Sequence, residues 1–347
     1  MERVLVAELL YPKGHKTINK HFLECISKSF DITLLDNNEY FTHIDPVIIK
    51  KRLFVKDKAV YRRERYKVFC YFFTLRRIAE IAKKEKIEKV VLLSFHTISY
   101  WMAKCFFKGL KVFVVHHNDI DVLAKNKYFR FAFNYVKDDI IHCVLEDFIK
   151  DGLISMYHVP SNLVHTVNNP IMLAPAGATT ARKVVLFLGI GQSNDEHFIK
   201  KLIDLDQTNY LGDFRDGKIL LRSKKYKYEG KIVTVFTGFL EKEKYDNLYQ
   251  RANACIVSYE ATFNLRSSGS IEDAFRNRKK VIVTDFLAAH YYAVQYPNNC
   301  ILCKSGEEIM ELLKSYHEEY HQAEGLQFEQ IHSFDNVANQ WKNALSI

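Results

Sequence analysis

A chain of 347 residues, 48% hydrophobic and 26% charged, has the material for two cores and exceeds one small domain. No apolar run reaches the roughly 18 residues of a membrane span, and Glu2 and Glu8, with no small-residue cleavage site nearby, argue against a signal peptide. Seven scattered cysteines, an odd number set mostly in apolar runs, read as reduced, buried thiols of a cytoplasmic protein and not as a disulfide framework.

In chain order, "RVLVAELL" reads as a strand, "TINKHFLECISKSF" as an amphipathic helix and "DITLLD" as a second strand. A long basic helical region is expected next, centred on "KKRLFVKDKAVYRRERYKVFCYFFTLRR". Residues 51–100 carry 14 Lys and Arg against 5 Asp and Glu, an excess equal to the net charge of +9 of the whole chain. Bases interleaved with aromatics suit lipid headgroups, a pyrophosphate-linked substrate or nucleic acid; a solvated helix with its apolar face on a core is the plain alternative. No zinc-finger, RNP or cold-shock signature accompanies the region, which ranks nucleic acid last. "KVVLLSF", a helix from about Ile98, "KVFVVHH", another helix and "DIIHCVL" follow. Short, nearly all-apolar strands alternating with helices indicate a parallel sheet covered on both faces, and ligands of such sheets sit at the carboxyl ends of the strands.

Around "HTVNNPIMLAPAGATTARK" the pattern breaks into what looks like a linker, and then the alternation resumes. "KVVLFLGIG", "KILLRS", "KIVTVFTGF", "ACIVSY", "KKVIVTD" and "CILCK" read as strands, with helices between most of them and a last amphipathic helix in "SFDNVANQWKNALSI". The expectation is α/β: two doubly wound sheets in tandem.

In "RSSGSIEDAFRNRKKVIVTD" the small residues Ser267, Ser268, Gly269 and Ser270 open a helix. A helix start offers unpaired N–H groups and a positive dipole end to an anion, and Arg266 adds a bidentate donor. The bland reading is an ordinary serine cap with Glu272 offsetting the dipole.

Together with "HTVNNPI" and "VTVFTGFLEKEKYDNLYQRANACIVSY", this stretch resembles the retaining GT-B glycosyltransferases that use nucleotide-sugars to build bacterial surface polysaccharides, and the similarity runs along nearly the whole chain. The resemblance implies two Rossmann-like domains, 1–168 for the acceptor and 169–330 for the donor, facing a central cleft, with a helix over 331–347 crossing back to the first. It implies a metal-independent hexosyltransferase of capsule or O-antigen synthesis that needs no cofactor. Its donor would be a UDP- or GDP-sugar and its acceptor a polyprenyl-diphosphate-linked glycan. The enzyme would be cytoplasmic and peripheral at the inner face of the plasma membrane, touching anionic lipid through region 51–89 and binding no nucleic acid.

Carried over residue by residue, the donor diphosphate falls to Ser267, Ser268, Gly269, Ser270 and Arg266, and the ribose to Glu272. The base falls near Thr237, Gly238 and Phe239. Two departures stand out. Asn264 occupies the place of a second family glutamate, with Glu260 nearby at the wrong spacing. "FLGIGQSNDEH" supplies Gly189, Gly191 and Gln192 where an arginine and a lysine are usual, so phosphate charge would be met by Arg222, Lys224 or Lys225. In "LYPKGHKT" Gly14 permits close backbone approach, while Lys13, His15 and Lys16 are candidates for the anion or the acceptor. His117 aligns with the family histidine at the cleft, ahead of His116 and His96, so the expected catalytic residues are His117, Arg266 and Asn264. A nucleotide-sugar epimerase of the same fold and a non-catalytic subunit binding a glycan or partner transferase remain as alternatives. "HEEYH" (His317 to His321) matches a zincin pattern in a polar context, and "CILC" is a lone pair in a strand; neither supports a metal site.

Overall fold

The computed structural model describes residues 1–8, 15–36, 41, 44–45, 48–54, 67–174, 184–191, 193–260, 264–317 and 320–347. Contacts divide the chain into two compact units. One comprises Met1–Pro170, Leu265–Ser267 and Ile331–Ile347; the other comprises Ile171–Asn264 and Ser268–Gln330.

In the first unit, strands β1 (Glu2–Glu8), β2 (Phe30–Asp36), β3 (Ile49–Phe54), β4 (Lys89–Leu92), β5 (Lys111–His116), β6 (Ile141–Val144) and β7 (Val164–Thr166) form one parallel sheet in the order β3-β2-β1-β4-β5-β6-β7. Its central strands are buried along nearly their whole length, which explains their unbroken apolar runs. One face carries helix α1 (Lys16–Ser27) and the C-terminal helix. The other carries α2 (Lys67–Lys84) and α3 (Thr97–Ala103). Helices α4 (Asp119–Lys125), α5 (Lys127–Asn134) and α6 (Asp147–Tyr157) complete the crossovers to β6 and β7.

The basic region is not one long helix. Its first part, "IKKRLF", is the edge strand β3, registered parallel to β2. An edge strand needs only one paired side, so Lys51 and Arg52 reach carboxylates, Glu85 and Asp36, on its flanks. Residues 55–66 lie outside the described residues, and α2 starts at Lys67. The start of the expected linker, "HT", is likewise the end of strand β7.

The second unit repeats the plan. Strands β8 (Val185–Gly189), β9 (Gly217–Ser223), β10 (Tyr228–Glu229), β11 (Val233–Thr237), β12 (Ala254–Val257), β13 (Lys280–Val283) and β14 (Cys300–Leu302) run in the order β10-β11-β9-β8-β12-β13-β14, all parallel except the β10–β11 ribbon. Helices α7 (Glu196–Gln207), α8 (Lys242–Arg251), α9 (Gly269–Arg276), α10 (Leu287–Gln295), α11 (Gly306–Ser315) and α12 (Gln322–Ile331) connect or flank them. Asp195, Ser268 and Ser305 cap α7, α9 and α11 by accepting from the first turn.

The last helix, α13 (Phe334–Leu345), belongs to the first unit. Its buried residues Val337, Ala338, Trp341, Ala344 and Leu345 recur at helical spacing, and the Trp341 ring meets Phe22 of α1 edge-on at 5.4 Å. The Gln340 side chain accepts from the Asn168 N–H (2.9 Å) and donates to the Asn168 side chain (2.7 Å), which ties α13 to the chain just after β7.

Candidate active site

In each unit the sheet order reverses beside its first strand, between β1 and β4 and between β8 and β12. The carboxyl ends of those strands are where a doubly wound sheet leaves room for a ligand.

In the second unit, β8 ends at Gly189 and the loop to α7 is pinned from both sides. The Asn194 amide donates to the carbonyls of Gly189 (2.8 Å) and Arg222 (3.0 Å), and the Asp195 N–H donates to Ser258 (2.8 Å). A Cβ on Gly191 would stand 2.6 Å from Ser270 Oγ, so glycine is what lets this loop lie against the first turn of α9. Ser268 caps that helix: its buried hydroxyl accepts from the Ile271 N–H (3.3 Å) and donates to the Tyr259 hydroxyl (3.1 Å). That oxygen is committed inside the protein, unlike the ligand donor expected from the sequence. Helix geometry leaves the N–H groups of Gly269 and Ser270 without intrahelical acceptors. Nothing among the described residues lies within 4 Å of where a Cβ on Gly269 would be. The result is a polar helix start that no described residue covers at Gly269, with Glu272 buried in its first turn.

The neighbouring strand ends add charge. The Arg222 guanidinium lies over the Phe239 ring at 4.4 Å, within cation–π range. Phe239 is 80% exposed and follows Gly238, whose φ of +93° turns the chain after Thr237. Glu196 accepts from the Ser223 hydroxyl and from the Lys224 N–H (2.6 Å), fixing the backbone from which the exposed Lys224 and Lys225 side chains project. Glu260 is exposed after β12 and Asn264 half-buried. Arg266 and Ser267 group with the first unit, where Asp121 accepts from the Leu265 N–H (2.7 Å) and pairs with Arg266 Nε (3.1 Å). Arg266, expected as a phosphate donor, has a carboxylate partner in this arrangement. Gln192, Lys13 and Gly14 lie outside the described residues.

In the first unit the same edge is built from imidazoles. His116 ends β5, and a period of two along paired strands puts it on the same face as His142 of β6, which is registered with Val114. His142 Nε2 stands 2.8 Å from the Lys137 carbonyl, which only accepts, so that nitrogen carries the proton and His142 Nδ1 is the acceptor. His116 Nε2, 2.8 Å from that Nδ1, must then donate. Its other nitrogen faces Asp119 Oδ2 at 2.6 Å, a hydrogen bond only if the imidazole and the carboxyl hold one further proton between them. Burial opposes the Asp119 charge, but His116 outweighs it and holds the carboxyl below its ordinary range. The other Asp119 oxygen accepts from the His117 N–H (3.2 Å), so this buried relay sets the backbone of the next residue.

The His117 ring donates from Nε2 to the Leu93 carbonyl (3.1 Å) and stacks on His15 with centroids 4.0 Å apart and planes 8° from parallel. Burial, helped by His15, drives its pKa to about 3. A neutral imidazole of that kind is a weak general base at pH 7 but can still accept a hydrogen bond from a hydroxyl. His96 is a helix cap: its Nδ1 accepts from the Ser99 N–H (3.3 Å) and stands 2.8 Å from the Ser99 hydroxyl, and Tyr71 and Phe129 press on its ring, leaving it near pKa 4 through burial. Lys16 begins α1 with its side chain exposed, and His15 precedes it in a left-handed conformation, φ 53°. Sequence reasoning passed over Glu8, Asp119 and His142. Glu8 is buried at the end of β1, where it accepts from the Asn19 amide (3.2 Å) and the Ser94 hydroxyl. An acid ending an otherwise apolar strand was the signal available.

No family model and no curated protein matches the sequence. Solved structures do match over nearly the full length. A glycosyltransferase from Rickettsia africae ESF-5 is 13% identical, with a TM-score of 0.65 over 99% of this chain and 98% of the other. Anabaena HepE, solved with UDP and glucose, is 10% identical with a TM-score of 0.66 over 100% of both chains. A UDP-N-acetylglucosamine 2-epimerase from Rickettsia bellii is 12% identical with a TM-score of 0.56 over 100% of this chain and 96% of the other. With two seven-stranded, mostly parallel sheets in tandem, the chain has the fold of the GT-B glycosyltransferases.

Proposed function

We propose that this chain is a nucleotide-sugar glycosyltransferase. The observation that carries the reading is the start of α9: Gly191 against Ser270, open space over Gly269 and Glu272 buried one turn in. The helix start receives the donor diphosphate, Glu272 takes the ribose hydroxyls, and the base lies near Thr237, Gly238 and Phe239. Negative charge grows on the departing nucleoside diphosphate as the sugar becomes oxocarbenium-like. Donors already aimed at that charge lower the barrier, and the α9 N–H groups with Arg222 and Lys224 suffice for this without a metal or cofactor. The donor is a UDP- or GDP-sugar, in line with the UDP complex of HepE.

The acceptor is a polyprenyl-diphosphate-linked glycan of capsule or O-antigen synthesis, met by the first unit with His15, His117 and Lys16, and the anomeric configuration is retained. The enzyme works at the inner face of the plasma membrane, held there in part by the basic region 51–89. Incubation with a panel of nucleotide-sugars tests the reading. Nucleoside diphosphate release that depends on a lipid-linked acceptor supports transfer. The similarity to an epimerase favours a second reading, for which sugar interconversion without acceptor is the mark. Absence of binding to any nucleotide removes both. Glu272→Ala is expected to weaken UDP or GDP binding at least about tenfold in calorimetry, as loss of a charged hydrogen-bond acceptor does; unchanged affinity removes the ribose assignment.

A further inference from the structure

The first unit exposes aromatic side chains where a folded domain would ordinarily present polar ones. Trp101 of α3, Phe69 and Phe73 of α2, and Tyr128, Phe131 and Tyr135 of or just after α5 are 37 to 67% exposed. They stand on one surface. Trp101 meets Phe131 at 6.0 Å and Tyr135 at 6.4 Å, and Phe131 meets Tyr135 at 4.8 Å. The Ser99 hydroxyl of α3 donates to Val68 of α2 (2.8 Å), and Phe72, behind Phe73, packs on Phe106 just after α3. Helix α3 therefore braces α2 on one side and α5 on the other. The spacings 69, 73 and 128, 131, 135 keep each row on one helix face.

The charge around these rings is predominantly positive. Segments 67–80, 101–108 and 127–139 hold eight Lys and Arg against three Asp and Glu. The bases are interleaved with the rings: Arg76 lies over Phe106 at 5.1 Å and Lys127 over Tyr128 at 5.4 Å. The core of a protein–protein interface is depleted in lysine and acid and forms a continuous apolar patch. A small aromatic cluster flanked by exposed bases matches a lipid surface instead, where rings settle at headgroup depth and cations meet anionic headgroups.

We propose that the surface formed by α2, α3 and α5 docks on an anionic lipid bilayer by inserting Trp101, Phe131 and Tyr135, with Phe69 and Phe73 beside them. Most of these residues lie outside the basic region 51–89. The inference rests on the reading that the enzyme works at a membrane, and it moves the apolar part of the contact to α3 and α5.

The test uses the full chain with vesicles of phosphatidylcholine and phosphatidylglycerol, and with pure phosphatidylcholine vesicles as the uncharged control. The sequence has two tryptophans, and Trp341 is fully buried, so Trp101 is the one placed to sense lipid. On the anionic vesicles its emission should shift to shorter wavelength and be quenched by brominated acyl chains. The triple variant Trp101→Ser, Phe131→Ser, Tyr135→Ser should bind these vesicles about tenfold more weakly, with its circular dichroism and nucleotide affinity unchanged. Vesicle binding with silent Trp101 and an unaffected triple variant overturns the proposal and leaves the basic region as the contact; that contact is tested separately by charge reversal at Arg62, Arg63 and Arg65. No binding to either vesicle overturns both. Self-association in sedimentation that the triple variant abolishes, with no vesicle binding, assigns the surface to a second copy and also overturns it.

Discussion

The two units share a strand order but furnish their functional edges with opposite chemistry. The second unit presents glycine, serine and a helix start, whose first backbone N–H groups have no intrahelical acceptor. Its four histidines, His197, His290, His317 and His321, are all exposed. The first unit presents imidazoles, and burial holds His96, His117, His142 and His332 near pKa 3 or 4. One fold thus carries a helix start lined by glycine and serine in one unit and a buried histidine cluster in the other. The site follows from which residues end the strands and not from the sheet.

The largest expected effect separates the two by acid. A histidine whose folded pKa lies below its unfolded value of about 6.5 binds fewer protons when folded, so its contribution to stability is full above that value and falls with pH until the folded pKa is reached. His142 and His332, both buried, should each remove about 1.4 kcal/mol per pH unit from the first unit, roughly 5 kcal/mol together between pH 6.5 and 4.5. His142 faces His116, the Lys137 carbonyl and the Phe133 ring; His332 faces the Asn169 carbonyl, with Glu146 at 3.9 Å. Both tryptophans belong to the first unit. Tryptophan emission should therefore change at higher pH than far-ultraviolet circular dichroism, and coincident transitions would show that the two units unfold as one.

Trp341→Ala should come next, costing the first unit about 4 kcal/mol by removing a fully buried indole from the α1–α13 contact. Denaturant unfolding followed by Trp101 emission checks it, and a circular-dichroism transition of the second unit with its midpoint unmoved would sharpen the contrast. The smallest effect belongs to the other edge. Gly191→Ala forces a methyl against Ser270 and should weaken UDP or GDP binding about tenfold in calorimetry, with the acid transition of the first unit unmoved. Unchanged affinity would break the comparison.

Much of the fold was legible because fully buried parallel strands must be apolar throughout, as "KVFVVH" and "ACIV" are. β3 escaped because an edge strand tolerates charge, and "IKKRLF" in a basic, aromatic stretch carries no apolar run. In the site, the start of α9 showed itself through small residues at a helix boundary, a local signal. The His142–His116–Asp119 relay did not. His142 sits inside "DIIHCVL", an unremarkable apolar strand, and meets His116 only once β5 and β6 are in register, 26 residues apart in sequence. Arg266 was legible as a cation at a helix start, but its carboxylate partner, Asp121, lies 145 positions earlier and no local pattern announces it.

The placement of α13 has a consequence for how the protein is made. Val337, Trp341 and Leu345 complete the core that β1, β2 and α1 begin. A ribosome moving from the N-terminus therefore releases the first sheet long before the helix that closes it. The second unit is nearly contiguous, and all of its residues are synthesised before α13 emerges. The half begun first is the half finished last. During that interval the α1 face of the first sheet is only partly covered, the kind of exposed apolar surface that invites chaperone capture or misassembly.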